Sequence, residues 1–160
     1  MGVDIHMSIV KDGKIIAEDI FDGRNSRWFG NIMGDGYDPE YDYLPIKCGV
    51  SPQAPKELAD EYNSDYMYGR RYISVKNFTE WFNKYNPHLD AGWVSTYDQW
   101  ALEHKNIKPE NVWKEKPTEN PEDWHFIAFE KDYDCNLWLI KFLDKINAQA
   151  DADITYCFDH

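Results

Sequence analysis

Asp4 and His6 are the first residues of the chain whose types and spacing could do chemistry. They lie where Val3, Ile5, Met7 and Ile9 alternate with Asp4, His6 and Ser8. That alternation is the period of a β-strand, whose every second side chain leaves the same face. A carboxylate and an imidazole side by side can share a metal ion, or the acid can fix the tautomer of the ring. On a half-exposed hairpin the same pair simply meets water. Arg24-Asn25 follows Gly23, where the chain leaves this strand region. A guanidinium fork beside an amide suits a phosphate or carboxylate together with the edge of a base. The plain alternative is a turn, because Asn tolerates left-handed backbone. Arg27 widens this basic spot, and Arg70 and Arg71 form an adjacent arginine pair. Both clusters read either as an anion site or as surface ion pairs. At the other extremity stands Phe158-Asp159-His160. If the last strand pairs beside the first, Asp159 and His160 approach Asp4 and His6; otherwise they belong to a frayed end.

These residues need elements to position them. Lys11-Asp12-Gly13-Lys14 supplies an Asp-Gly turn, and Ile15 to Ile20 returns as the second strand of a hairpin. Ser26 to Met33 reads as a short helix closed by Gly34. Residues 35–45 have no period and read as a loop, and a helix follows from about Pro55 to Ser64. Ser74 is placed to cap a helix running to Tyr85, with Phe78, Trp81, Phe82 and Tyr85 at helical spacing and Asn86-Pro87 as its stop. Ser95 with Asp98 resembles a capping box for a helix reaching about Lys105. Lys108 to Asp123 reads mostly as loop, and Trp124 to Phe129 as a short strand. Asp134 caps the last helix, whose apolar stripe is Leu137, Ile140, Leu143 and Ile146. Ala152 to Asp159 closes as a strand with Ile154, Tyr156 and Phe158 on one face. The expected architecture is a single α+β domain over residues 1–160. Its small, mainly antiparallel sheet combines the N-terminal hairpin with the C-terminal strand and is packed by several helices.

Composition narrows the function classes. The chain has 160 residues, 16% of them aromatic, enough to build a core without disulfides. Its formal charge of −12 argues against binding a nucleic-acid backbone, which needs a basic face. Cys48, Cys135 and Cys157 show no CxxC spacing and fit reduced thiols, with Cys157 as a small buried hydrophobe. Most tryptophans are expected in the core. No apolar run approaches the roughly 18 residues of a membrane span, and the expected setting is cytoplasmic, with no membrane partner. Asp35, Asp38, Glu40 and Asp42 miss the EF-hand spacing. That acidic stretch reads as a solvated face, or as a decoy that captures a host protein with a basic surface.

Several of these marks coincide in one family. Met-Gly-Val-Asp-Ile-His resembles the Met-Gly-Cys-Asp-Ile-His opening of a group of uncharacterised small bacteriophage and prophage proteins. In that group an Arg-Asn-Tyr segment follows, matched by Arg24-Asn25-Ser26, then a proline-rich stretch like Val50-Ser51-Pro52 to Tyr62. A His-Ser-x-Ser-Trp-Leu-Thr helix entry corresponds to Ile73-Ser74 with Phe78-Thr79, and a Phe-Asp-Asn ending to Phe158-Asp159-His160. The chain departs from the pattern at Val3, Ser26 and Ile73; were the group's histidine catalytic, this member would only bind. The resemblance implies a phage setting, with the host cytoplasm as compartment, and a shared polar site.

Three functions follow as expectations. The first is a phage-type accessory protein that binds a small anionic, nucleotide-like ligand without a cofactor. Arg24, Asn25 and either Arg70 or Arg71 grip the anion, Asp4 and His6 read a polar edge, and an aromatic ring stacks. The second is a phosphoester hydrolase using a divalent metal on Asp4, His6 and Asp159, with Arg24 steadying the developing charge. The third is the acidic decoy.

Overall fold

The computed structural model describes residues 3–21, 23–33, 44–105 and 112–159. The chain forms two compact units, one of Met1–Tyr85 with Trp138–His160 and one of Asn86–Leu137.

In the first unit, alternating β1 (Asp4–Lys11) turns through Asp12-Gly13 into β2 (Lys14–Ala17). Both turn residues have positive φ, +50° and +76°, the geometry that matches a hairpin's right-handed twist. The returning strand is shorter than expected, ending at Ala17, because Asp19 takes a left-handed conformation at φ +45°. Helix α1 (Ser26–Met33) follows, then β3 (Lys47–Cys48), α2 (Lys56–Tyr62), β4 (Tyr68–Ser74) and α3 (Val75–Tyr85). The sheet order is β2-β1-β7-β4-β3, with β7 (Asp153–Asp159) antiparallel to both β1 and β4. Seven residues of β1 face seven of β7, from Asp4 opposite Asp159 to Val10 opposite Asp153.

Residues 153–158 of β7 are buried on both faces, as befits a central strand covered by helices. On one face Tyr156 donates its hydroxyl to the Ile32 carbonyl at 2.7 Å, and Phe158 meets Phe29 of α1 edge-on at 4.7 Å. On the other, Val10 and Cys157 pack with Leu58 and Tyr62 of α2. Buried polar groups there are paired: Ser8 Oγ with the Tyr62 hydroxyl at 2.9 Å, and Ser51 Oγ with Asp153 at 2.6 Å.

The second unit pairs β5 (Leu89–Ser95) with β6 (Trp124–Glu130), with α4 (Thr96–His104) between them in sequence. On the outer side of β5, Trp93 exchanges both backbone hydrogen bonds with Trp113, at 2.7 and 3.0 Å. Helix α5 (Cys135–Lys145) carries the chain back to the first unit.

The architecture is α+β, as expected, with five helices and seven strands in two antiparallel sheets among the described residues. Predicted caps also hold. The Asp98 amide bonds Ser95 Oγ, the Asn77 amide bonds Ser74 Oγ, and Asp134 Oδ1 accepts the amides of Asn136 and Leu137. Four details differ. Strands β3, β4 and β5 were not anticipated, and α2 ends at Tyr62 instead of Ser64. The fully buried residues of α5 beyond its first turn are Leu139 and Leu143, with Leu137, Ile140 and Ile146 only half-buried. Trp28 and Trp81 are core residues, but Trp100 and Trp113 are exposed. The proposed Gly34 closure and most of the 35–45 loop lie outside the described residues. Among the described residues no helix is long and apolar enough to cross a membrane.

The cysteines yield a direct prediction. Cys48 is exposed, whereas Cys135 and Cys157 are buried, and burial pushes the Cys157 thiol up to about 12. A thiol reagent at neutral pH should modify one cysteine of the native protein and all three after denaturation. Rapid reaction at Cys157 would contradict the packing of β7.

Candidate functional site

Antiparallel register brings the chain's two distant polar segments together. Asp4 faces Asp159 and His6 faces Cys157, so Asp4, His6 and Asp159 leave the same side of the sheet. His6 Nε2 lies 2.8 Å from Asp159 Oδ2, and its Nδ1 lies 3.9 Å from Asp19 Oδ1. The bend after β2 is drawn to the same place, since the Ile5 amide donates to the Gly23 carbonyl at 3.3 Å. Arg24, the next residue, then donates Nε–H to Asp4 Oδ1 at 2.6 Å. This hydrogen bond holds the Asp4 carboxyl below its usual range, with added lowering from His6 and Asp159, and raises Arg24 in turn.

The cluster is open to solvent. The side chains of His6 and Asp159 are 29% and 28% exposed, and that of Arg24 is 62% exposed. Tyr68 lies in register with Phe158 and packs its ring against Phe158 at 6.0 Å, on the side of the sheet opposite Asp159; burial first, and then the Asp159 charge, raise its phenol. Three carboxylates, one guanidinium and one imidazole therefore converge. Arg24 spends Nε on Asp4, leaving its terminal nitrogens as the donors an anion would meet. The carboxylates accept N–H donors, and the Asp159 carboxylate fixes the orientation of the His6 ring.

The remaining expected site residues are placed otherwise. Asn25 Oδ1 accepts the Trp28 amide at 2.8 Å, so this side chain caps α1 and is not turned to the cluster. Arg70 reaches the C-terminal end of α2 and donates to the carbonyls of Tyr62, Ser64 and Met67 at 2.6, 3.0 and 3.1 Å. A cation is favoured there because the helix ends in unpaired carbonyls. Arg71 faces Tyr156 in register, so it projects from the opposite side of the sheet to Asp159. Ile73, where the resembling proteins carry histidine, is buried opposite Ile154 on that same far side. The Arg27 side chain, His160 and the acidic run from Asp35 to Asp42 lie outside the described residues. Among the described residues no three His, Cys, Asp or Glu side chains are disposed to hold a metal ion.

Asp19 was not foreseen as a neighbour of the cluster. Asp19 was within reach of the sequence: continuing the register that sets Lys11 opposite Lys14 and Val10 opposite Ile15 brings this residue opposite His6.

In comparisons with known proteins, the chain matches no family model, no curated protein and no solved structure, which leaves the geometry of the Asp4–His6–Arg24–Asp159 cluster to carry its functional interpretation.

Proposed function

We propose that the chain is a phage-type accessory protein whose Asp4–His6–Arg24–Asp159 cluster binds a small nucleotide-like ligand. The supporting observation is convergence: side chains from the first strand, the bend after its hairpin and the last strand meet within hydrogen-bonding distance on an open surface. Carboxylates outnumber cations in the cluster, so the ligand must bring N–H donors as well as an anionic group. A nucleotide has both. Its phosphate competes with Asp4 for Arg24, and the donor edge of its base meets the carboxylates of Asp159 and Asp4. A second reading, in which Asp4, His6 and Asp159 hold a divalent cation for phosphoester hydrolysis, draws on the same three side chains, which as placed here are not disposed around a common ion.

Thermal denaturation against a panel of mono-, di- and cyclic nucleotides tests the proposal. A ligand at a hundred times its Kd stabilises by about 2.7 kcal/mol, a shift of several degrees. Arg24→Ala should abolish that shift, and Arg71→Ala, on the other side of the sheet, should retain it. Absence of any response at millimolar nucleotide, or an Arg24→Ala protein that responds like the parent, would sink the proposal. A response that requires a divalent cation and disappears in His6→Ala would transfer the site to the second reading.

A further inference from the structure

The second unit carries an exposed aromatic face that the cluster does not use. Strand alternation puts Trp93 and Phe126, directly opposed, on one side of the β5–β6 pair, and Trp124 joins them there. The bridge between Trp93 and Trp113 adds a fourth ring from the outer edge of β5. The reverse side carries buried Val94, so the sheet already has its own packed face. Phe126 and Trp113 nevertheless remain 61% and 60% exposed. Gly92 makes this arrangement possible, since a Cβ there would stand 2.7 Å from the Trp113 carbonyl oxygen.

The rings do not form a flat platform. Trp93 and Phe126 meet at 62° with centroids 5.5 Å apart, and Trp113 and Trp124 at 72° and 5.8 Å. Rings at such angles offer no continuous plane for a base stack, while their exposed faces remain open to a cation. One cation is already accommodated: Lys116 Nζ lies over the Trp93 ring at 5.2 Å from its centroid. The charge of the unit points the same way. Residues 86–137 hold eleven acids against five lysines, and Glu130 stands on the aromatic face itself. An anionic occupant is repelled there, whereas a cation gains from both the ring faces and the acids.

We infer that the aromatic face of Trp93, Trp113 and Phe126 receives the arginine or lysine side chains of a basic segment of a partner protein. These rings belong to the second unit and the Asp4–His6–Arg24–Asp159 cluster to the first.

Binding of a capped, fluorescently labelled tetra-arginine peptide to the full chain, followed by anisotropy, tests the inference. Trp113→Ala combined with Phe126→Ala leaves the net charge unchanged and should weaken binding about tenfold or more. Phe126→Leu, which keeps apolar bulk but removes the ring, should weaken it in the same direction should the double variant lose its fold. Arg24→Ala should bind the peptide as the parent does, so this result stands apart from the nucleotide experiment. Equal affinity in the ring-deleted variants would overturn the inference, since acidity alone would then explain the contact. A tetra-norleucine peptide that binds as well as tetra-arginine would overturn it too, making the face an apolar docking surface.

Discussion

Replacing Phe158 with alanine should cost about 3–5 kcal/mol of folding stability, the usual range for a fully buried phenylalanine. Phe158 is 0% exposed. Its ring meets Phe29 edge-on at 4.7 Å and Tyr156 at 5.9 Å, with Tyr68 at 6.0 Å. Strand and helix around it are held from both neighbours of β7, so the cavity cannot readily collapse. A domain of this size has about 5–15 kcal/mol in total, so the loss would be a large fraction of it. Urea denaturation should show a lowered midpoint with little change in slope. Phe126→Ala, at an exposed ring of the second unit, should change stability far less. Comparable losses at the two positions would contradict the assignment of Phe158 to the core.

Gly69→Ala should be nearly as damaging, and for two separable reasons. Gly69 has φ +62°, a conformation that costs an L-residue about 1–2 kcal/mol. A Cβ at this position would also stand 2.6 Å from Phe158 Cδ2 and 3.2 Å from Met33 Sδ. Overpacking of that kind costs about 1–3 kcal/mol more. The two contributions can be told apart in a double-mutant cycle. Once Phe158 is alanine, the main clash is gone and Gly69→Ala should cost little more than its backbone strain. Strict additivity of the two substitutions would mean that the ring yields to the methyl group without cost.

Legibility in the sequence followed the range of the interactions involved. Local chemistry was readable: the Asp12-Gly13 turn, the Ser74, Ser95 and Asp134 caps, and α1 over Ser26–Met33 all depend on residues within a few positions of one another. The meeting of Asp4, His6 and Asp159 was also foreseen, from strand alternation at each extremity of the chain. Strand β4 was not, because Gly69, Arg70 and Arg71 interrupt any apolar alternation. Missing β4 then misplaced its arginines. Arg70 is bound by carbonyls whose positions depend on where α2 ends, and Arg71 projects from the far side because of a register shift between Tyr68 and Arg71. Asn25 was readable in both ways, and its spacing from Trp28 is that of a cap.

The central place of β7 has a consequence for how the protein is made. Both of its neighbours, β1 and β4, are synthesised well before it and must wait with unsatisfied backbone along one edge. The five-stranded sheet can therefore close only after residues 153–159 have left the ribosome. A polypeptide interrupted shortly before that segment would not be a weakened version of the protein. It would be an adhesive fragment with two bare strand edges, prone to join other chains or to be cleared by proteases.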